Sequence, residues 1–181
     1  LTNSNVYNNL HYSCNLGYNI FAKRASGGAD VSSSGNTFSH ETLYNVVGGV
    51  VVSGTMGATN NVFQNMIIMS TAATGNLLTV DALAYPKTTV RNLLLWMPNN
   101  SGNCISWNGT NYTLDAWLAG PNTSLGLGCI NADPLFVNAA AGDFRLQAGS
   151  PAKLAGYNSG ITTDFAGNTR HATTPSIGAY V

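Results

Sequence analysis

Charged side chains are scarce in this sequence. Of its 181 residues only 8% are Asp, Glu, Lys or Arg, and the seven acidic and seven basic residues give a formal net charge of zero. A surface that binds the phosphates of nucleic acid or an anionic membrane normally carries a cluster of Lys and Arg. The composition therefore argues against nucleic-acid binding, and we expect no nucleic-acid partner.

Long apolar runs are missing as well. A helix that spans a bilayer needs about 20 consecutive apolar residues, whereas the longest runs here, around 66–69 and 93–97, fit buried strands. We therefore expect no membrane span. The sequence begins at Leu1 without a signal peptide, and we interpret this start as a processed, excised or proteolysed N-terminus.

Cysteine is present in an odd number and without the spacing of a metal site. The three cysteines are Cys14, Cys104 and Cys129. Cys104 and Cys129 lie 25 residues apart, close to the repeat length described below, so a disulfide and a pair of buried free thiols both remain open. We expect no metal and no cofactor.

A repeat is the main feature that the sequence does contain. Four segments can be aligned on an Asn or Thr at their start, and these starts are 31, 25 and 27 residues apart: Asn5, Asn36, Asn61 and Thr88. A glycine follows each start by 12 to 14 residues and opens a second run: Gly17, Gly49, Gly75 and Gly102. A period of this size marks a solenoid, and two short β-rich runs without a helical pattern predict a parallel β-helix of about four coils.

The alignment also predicts which residues lie above one another. The third position of the first run gives an apolar column, Tyr7, Phe38, Phe63 and Val90, and the third residue after the glycine gives another, Ile20, Val52, Leu78 and Ile105. The fifth position gives Asn9, His40, Asn65 and Asn92. We predict that the side chains of this last column form a structural ladder, in which amides hydrogen-bond along the stack.

The last third of the chain carries the most specific motifs. Asp133-Pro134-Leu-Phe136 leads to Gly142-Asp-Phe-Arg-Leu146, then to Gly149-Ser-Pro-Ala152, Asp164-Phe-Ala-Gly167-Asn-Thr-Arg170 and Ile177-Gly-Ala-Tyr180. This series resembles the C-terminal end of bacterial right-handed parallel β-helix proteins of the pectate-lyase-like superfamily. The resemblance implies an all-β, right-handed parallel β-helix, with coils in residues 1–121 and a C-terminal capping segment in residues 122–181.

The capping segment has its own expected contacts. Its apolar side chains, Phe136, Phe144, Leu146, Ile177 and Tyr180, are expected to roof the core, and its glycines to permit tight turns. Two residues of each charge could hold the final loops together: Asp143, Arg145, Asp164 and Arg170.

A catalytic site is not evident in the sequence. Members of the resembling superfamily cleave acidic polysaccharides or hydrolyse glycosides, and hydrolysis needs two carboxylates about 5–9.5 Å apart. In the alignment Lys23 and Asp81 fall two coils apart, while Asp30, Glu41, Lys87 and Arg91 are solitary. We therefore assign no catalytic residue and favour a role without enzymatic activity, while polysaccharide lyase or glycoside hydrolase activity remains open.

Two functions remain as hypotheses. The first is a secreted or cell-surface module with a structural or adhesive role, whose partner is a further copy of itself, end to end or laterally, or missing N-terminal coils. The second is the C-terminal part of a polysaccharide lyase or glycoside hydrolase that binds or cleaves carbohydrate. Aromatic side chains that could stack on sugars are Phe21, Trp96, Tyr112 and Trp117, although any of these could instead belong to the core.

Overall fold

A computed structural model of the chain describes residues 1–22, 33–53, 58–120 and 127–181. These residues form short strands, one six-residue α-helix and two single-turn 3₁₀ helices, Tyr85–Lys87 and Ala139–Ala141. The predicted all-β class is confirmed.

Most strands, numbered in chain order, belong to three stacked sheets. The first sheet contains β1 (Asn5–Tyr7), β4 (Thr37–Ser39), β7 (Asn61–Gln64) and β10 (Thr88–Arg91). The second contains β2 (Leu10–Tyr12), β5 (Thr42–Tyr44), β8 (Ile67–Met69), β11 (Leu94–Trp96) and β14 (Ile130–Asn131). The third contains β3 (Leu16–Phe21), β6 (Gly48–Ser53), β9 (Leu78–Val80), β12 (Ile105–Trp107) and the antiparallel β13 (Thr110–Tyr112).

From β1 to β9, each strand pairs in parallel with the strand three places later in the chain. Three consecutive strands therefore form one layer, which we call a rung: rung 1 is β1–β3, rung 2 is β4–β6, rung 3 is β7–β9 and rung 4 is β10–β12. The parallel, stacked arrangement is compatible with a solenoid. The repeat nevertheless has three strands where the sequence pattern indicated two, because the middle strands are only two or three residues long.

The prediction of the first apolar column is correct for three of its four residues. The rings of Phe38 and Phe63 stack with centroids 5.0 Å apart and planes 8° apart, and Val90 pairs with Phe63. In rung 1, however, Val6 rather than Tyr7 pairs with Phe38. The error arises because residues 8 and 9 are both Asn, and Asn8, not Asn9, takes the left-handed turn conformation (φ 59°) that fixes the register.

In the third sheet the predicted column is displaced by two residues in rungs 3 and 4. Val52 pairs with Val80 rather than Leu78, and Val80 in turn pairs with Trp107 rather than Ile105. Since side chains alternate with a period of two, this shift leaves every predicted inward residue on the inward face. Leu78 and Ile105 join the neighbouring inward column of Tyr18 and Val50.

The main core lies between the three sheets, and its far end is covered. Helix α1 (Leu114–Ala119) follows β13 and begins where the Thr113 hydroxyl accepts a hydrogen bond from the Ala116 amide. The helix packs Trp117 edge-on against Trp107 of rung 4, with centroids 5.5 Å apart, and both indoles are 1% exposed. Strand β13 pairs antiparallel with β12 and is the last strand of the third sheet at this end, so the edge of β12 is covered.

The residues after β14 lie along the side of the rungs. We call residues 132–181 the strap; it contains the antiparallel hairpin β15 (Phe136–Asn138) and β16 (Asp143–Leu146). A second apolar cluster packs strap side chains against the outer face of the second sheet: Phe136, Phe144, Leu146, Ala152 and Ile177 against Ile67 and Leu94. These residues were expected to cover the main core. That expectation is wrong, because they pack against the outer face of the second sheet. The predicted boundary at 121/122 lies outside the described residues.

Among the described residues no helix is long and apolar enough to cross a bilayer.

Candidate functional site

The residue column that was predicted as a ladder forms hydrogen bonds that hold the strap against the rungs. Asn8, His40, Asn65 and Asn92 occupy equivalent turns after the first strand of each rung, all with φ between 50° and 59°. Asn9, which was predicted in this column, instead follows the turn and bonds to Glu41. Asn adopts left-handed backbone more readily than most residues because its short polar side chain hydrogen-bonds locally.

Most hydrogen bonds of this column lead to the strap rather than along the stack. The Asn65 amide donates to the Tyr157 carbonyl and accepts from the Tyr157 N–H, both at 2.7 Å. Asn92 donates to the Ala155 carbonyl at 2.8 Å, and Asn8 donates to the Thr163 carbonyl at 2.8 Å. Only the contact between Asn65 Nδ2 and His40 Nε2, at 3.0 Å, joins neighbours within the described column.

The tautomer of His40 follows from this geometry. Because the Tyr157 N–H must donate to Asn65 Oδ1, the Asn65 atom that faces His40 Nε2 is the Nδ2 donor, so Nε2 must accept. The proton then lies on Nδ1 and is donated to the Ser176 carbonyl at 3.1 Å. Burial, and then the nearby positive charge of Arg170, lower the pKa of His40 to about 3. His40 is a neutral structural residue.

The predicted cap charges separate into two groups. Asp143 and Arg145 form a bidentate pair on one strand of the strap, with a shortest N–O distance of 2.6 Å, and the bond from Arg145 lowers the pKa of Asp143 to about 2. Asp164 and Arg170 are buried and act through other groups. Asp164 accepts from the Ala166, Asn168 and Val181 amides, while Arg170 donates to Asn8 and to four backbone carbonyls, those of Thr163, Ser176, Gly178 and Ala179.

The four candidate sugar-binding aromatics do not form one surface. Phe21 is 47% exposed at the edge of rung 1, whereas Trp117 is buried in the main core and cannot stack on a sugar. Tyr112 is partly buried against the core. Trp96 is half-buried and lines a cleft of about 210 Å³ together with Asp115 and Asn131. Asn131 donates to Asp115 at 2.7 Å in this cleft.

Other predicted residues are explained by packing. Cys14, Cys104 and Cys129 are free thiols, so the disulfide left open for Cys104 and Cys129 is not formed. The Arg91 guanidinium lies 3.6 Å from the centre of the Tyr157 ring and donates to the side-chain amide oxygen of Gln64. Lys23 and Asp30 lie outside the described residues.

Glu41 was interpreted as solitary, and this is wrong. It is fully buried, and its carboxylate accepts from the Tyr18 hydroxyl at 2.5 Å and from the Asn9 amide at 3.2 Å. The Tyr18 oxygen is 2.9 Å from His11 Nε2, and this nitrogen lies 3.9 Å from the Glu41 carboxylate. We call His11, Tyr18 and Glu41 the buried triad. The sequence pattern missed it because His11 belongs to a middle strand that the two-run repeat did not contain.

The electrostatics of the triad favour its neutral forms. Burial raises the pKa of Glu41 to about 7, against the opposing effect of the bonds from Tyr18 and Asn9. Burial, together with the Glu41 charge, raises the pKa of Tyr18, while burial lowers the pKa of His11. The hydrogen-bonded partners of Glu41 are a phenol and an amide rather than a second carboxylate, so the triad is not the carboxylate pair of a glycoside hydrolase. The hydrogen-bonded arrangement of these three groups can hold a proton and pass it between them.

The triad lies beside the open end of the stack. Tyr18 also lines a cavity of about 330 Å³ with Val6, Ile20 and Phe38, whose side chains belong to inward columns. Three or more His, Cys, Asp and Glu side chains suited to holding a metal ion do not come together anywhere in the described part of the chain. Comparison with protein-family profiles, curated proteins and solved structures finds no match to this chain.

Proposed function

We propose that this chain is a secreted or cell-surface structural module of the right-handed parallel β-helix class, and that its first rung binds a further rung of parallel strands. The observation that carries the proposal is the difference between the two ends of the stack. Low charge, Asn- and Thr-rich composition and the resemblance to the pectate-lyase-like superfamily support the class and the location.

Rung 1 carries exposed large apolar side chains, and several of its inward residues are only partly covered. Five large apolar side chains within the first 21 residues are 45–64% exposed: Leu1, Tyr7, Tyr12, Leu16 and Phe21. The inward residues Val6, His11 and Tyr18 are only half-buried, while their column neighbours Phe38, Leu43 and Val50 are at most 1% exposed. A further rung would bury these groups as rung 1 buries those of rung 2.

The edge strands of rung 1 also lack the usual protection. Natural edge strands avoid unwanted pairing with charged residues, prolines or bulges. Residues 1–22 contain no Asp, Glu, Lys, Arg or Pro, and β1, β2 and β3 are each the last strand of their sheet in the part of the chain that the structure describes. An edge of this kind accepts another set of strands without loss of ion pairs or like-charge repulsion.

The binding partner is best described by the chemistry of the rung itself. It must present three short strands with apolar inward side chains, in parallel register with β1, β2 and β3. The far end of this chain does not fit that description, because β13 and α1 occupy it. Head-to-tail stacking of identical copies is therefore disfavoured, and the proposed occupant is a rung of a β-helical segment other than residues 1–181, such as coils that precede Leu1.

A duplicated rung provides the test. Asn61 aligns with Thr88 in the next rung and, through Val62, Thr37 and Asn5, with Ser4 in rung 1, so a copy of residues 61–87 can be fused directly before Ser4 in register. Burial of two or three additional large side chains should raise the midpoint of thermal unfolding by on the order of 10 °C. The midpoint is measured by circular dichroism, for the fusion and for the natural chain.

The control carries the same fusion with the inward substitutions I68N and V80N in the copy. It should show no such rise, since the added rung could no longer form a core. A fusion that is no more stable than the control would refute the docking proposal. Light scattering of the natural chain provides a second outcome: a dimer at micromolar concentration would replace the proposed partner with a second copy bound through rung 1.

A second candidate function is the binding of a neutral saccharide in the Trp96 cleft, favoured by the position of this ring beside Asp115 and Asn131. Isothermal titration with neutral and acidic oligosaccharides should then give heat that is lost in Trp96→Ala. Phe21→Ala, at the opposite end of the stack, is the matched control. Equal heats from Trp96→Ala and the natural chain would exclude this cleft.

A further inference from the structure

The buried triad lies on the surface to which the further rung would bind. His11 pairs with Leu43 in the second sheet, and Leu43 continues through Ile68 to Leu95, all three of which are fully buried between neighbouring rungs. His11 is the first member of this inward column, and its side chain is 27% exposed. A rung placed above it would cover it.

The triad is a hydrogen-bonded path from the solvent to a buried carboxyl group. When Glu41 is ionised, Tyr18 donates its hydroxyl proton to Glu41 and accepts from His11 Nε2–H. When Glu41 is protonated, its O–H can donate to Tyr18, which then donates to a deprotonated His11 Nε2. The distances of 2.5 Å and 2.9 Å allow both arrangements without movement of the heavy atoms.

We propose that docking of a rung onto rung 1 is coupled to the uptake of one proton by the buried triad. This inference rests on the proposed function and concerns the regulation of the same surface. Docking removes His11 and Tyr18 from water, and an ionised Glu41 beside a neutral His11 would leave a net negative charge in a low-dielectric core. One proton from the solvent, taken up by the Glu41 carboxyl, neutralises the triad.

The surroundings of the triad contain little else that could supply this charge. The remaining hydrogen-bonded partner of Glu41 is the Asn9 amide, and Met66 and Leu93 continue the Glu41 column into the core. His40 is adjacent in sequence, but its ring faces the strap, where it contacts Ser159 and Ser176 and lies near Arg170. Within the described residues, therefore, the triad itself is the group that must take up the proton.

The test uses the fact that Glu41 is the only glutamate in the sequence. Labelling glutamate with ¹³C at the side-chain carboxyl places one glutamate signal in the natural chain, and the fusion of residues 61–87 before Ser4 adds no second one. In the natural chain the signal should titrate near pH 7, consistent with the raised pKa of Glu41. In the fusion it should titrate at least one pH unit higher, because the added rung further disfavours the ionised form.

Stability provides the second readout. The ratio of the unfolding constants of the natural chain and the fusion should fall as pH rises above 7, by up to tenfold per pH unit for one proton. The same ratio measured in a Glu41→Gln pair should not change with pH over this range. Equal pH dependence in both pairs, or an unshifted Glu41 titration in a stabilised fusion, would overturn the proton coupling and leave docking intact. A fusion without added stability at any pH would overturn both.

Discussion

At the scale of the residue, the left-handed turn position after the first strand of each rung has two roles. It joins a strand of the first sheet to a strand of the second, and it presents a polar side chain to the strap. Asn fills it three times and His40 once. The energetic consequences of these residues can be tested individually.

Asn65 combines backbone and side-chain contributions. Replacing it with Ala removes both hydrogen bonds to Tyr157. It also places alanine at φ 54°, a left-handed conformation that Asn tolerates better than Ala does. We expect Asn65→Ala to lower the free energy of unfolding by about 3 kcal/mol. Asn65→Gly should cost about 1 kcal/mol less, because glycine relieves the backbone strain but restores no hydrogen bond. Urea unfolding of the two variants measures the difference, and equal losses would contradict this assignment.

His40 should make the protein sensitive to acid. Its folded-state pKa of about 3 lies below its ordinary value of 6.5, so between these values the unfolded chain binds more protons and stability falls as pH falls. Glu41 acts in the opposite direction between pH 4.5 and 7, because its pKa is raised in the folded state. We expect His40→Asn, which preserves the left-handed turn, to remove the loss due to His40 and leave the gain due to Glu41.

The measurement is urea unfolding at pH 7.5 and 4.5. His40→Asn should lose less stability than the natural chain on acidification. His171→Asn, which makes the same substitution at an exposed position of the strap, is the comparison variant. The same acid loss in His40→Asn and in the natural chain would show that His40 is not responsible.

At the scale of the element, helix α1 covers the end of the main core at rung 4. The Trp117 and Tyr85 rings both pack edge-on against the Trp107 ring. The distances between ring centroids are 5.5 Å for Trp117 and 5.9 Å for Tyr85. We expect Trp117→Ala to cost about 3–5 kcal/mol, as large-to-small core substitutions do. Trp96→Ala, on a half-buried ring, should cost less than half as much. Chemical denaturation compares the two, and a smaller loss for Trp117→Ala would place that ring outside the core.

The sequence predicted elements well where the chemistry repeats and poorly where it is ambiguous. The stacking of Phe38 on Phe63 followed directly from the aligned starts of β4 and β7. The register of rung 1 could not be derived, because Asn8 and Asn9 are equally suited to the left-handed turn. The middle strands were missed because three residues are too few to establish an alternation.

The candidate site was less predictable than the fold for a related reason. Glu41, Tyr18 and His11 come from three different strands or turns, and the contact between them depends on the register of rung 1. A pattern that places Asn9 in the turn column also removes it from its true position beside Glu41. The motifs of the strap were recognised, but the side of the rungs on which the strap packs is a property of the outward residues Ile67 and Leu94, which carry no motif.

At the scale of the whole molecule, the strap reaches from the last rung back to the first. Arg170 is its main anchor at rung 1, where the guanidinium binds Asn8 and strap carbonyls simultaneously. Lysine keeps the charge but not the planar fork of donors. We expect Arg170→Lys to lower the free energy of unfolding by about 2–3 kcal/mol, since several buried carbonyls lose their partner.

Hydrogen exchange should locate this loss. In Arg170→Lys the amides of rung 1 and of residues 162–181 should lose protection together, because they share the anchor. Arg145→Lys is the matched control, since its pair with Asp143 is exposed and screened by solvent, and such pairs contribute little to stability. Protection lost only within the strap would contradict the role of Arg170 as a link to rung 1.

The strap also changes how the chain must acquire its structure. A stack of repeats can ordinarily assemble layer by layer, because each layer contacts only its neighbours. Here Asn8 bonds to Thr163, 155 positions away, and to Arg170, 162 positions away. During synthesis these bonds of rung 1 must therefore wait until residues 163–170 have been made, and such distant closures slow folding. Rung 1 thus reaches its native contacts only after the strap has left the ribosome.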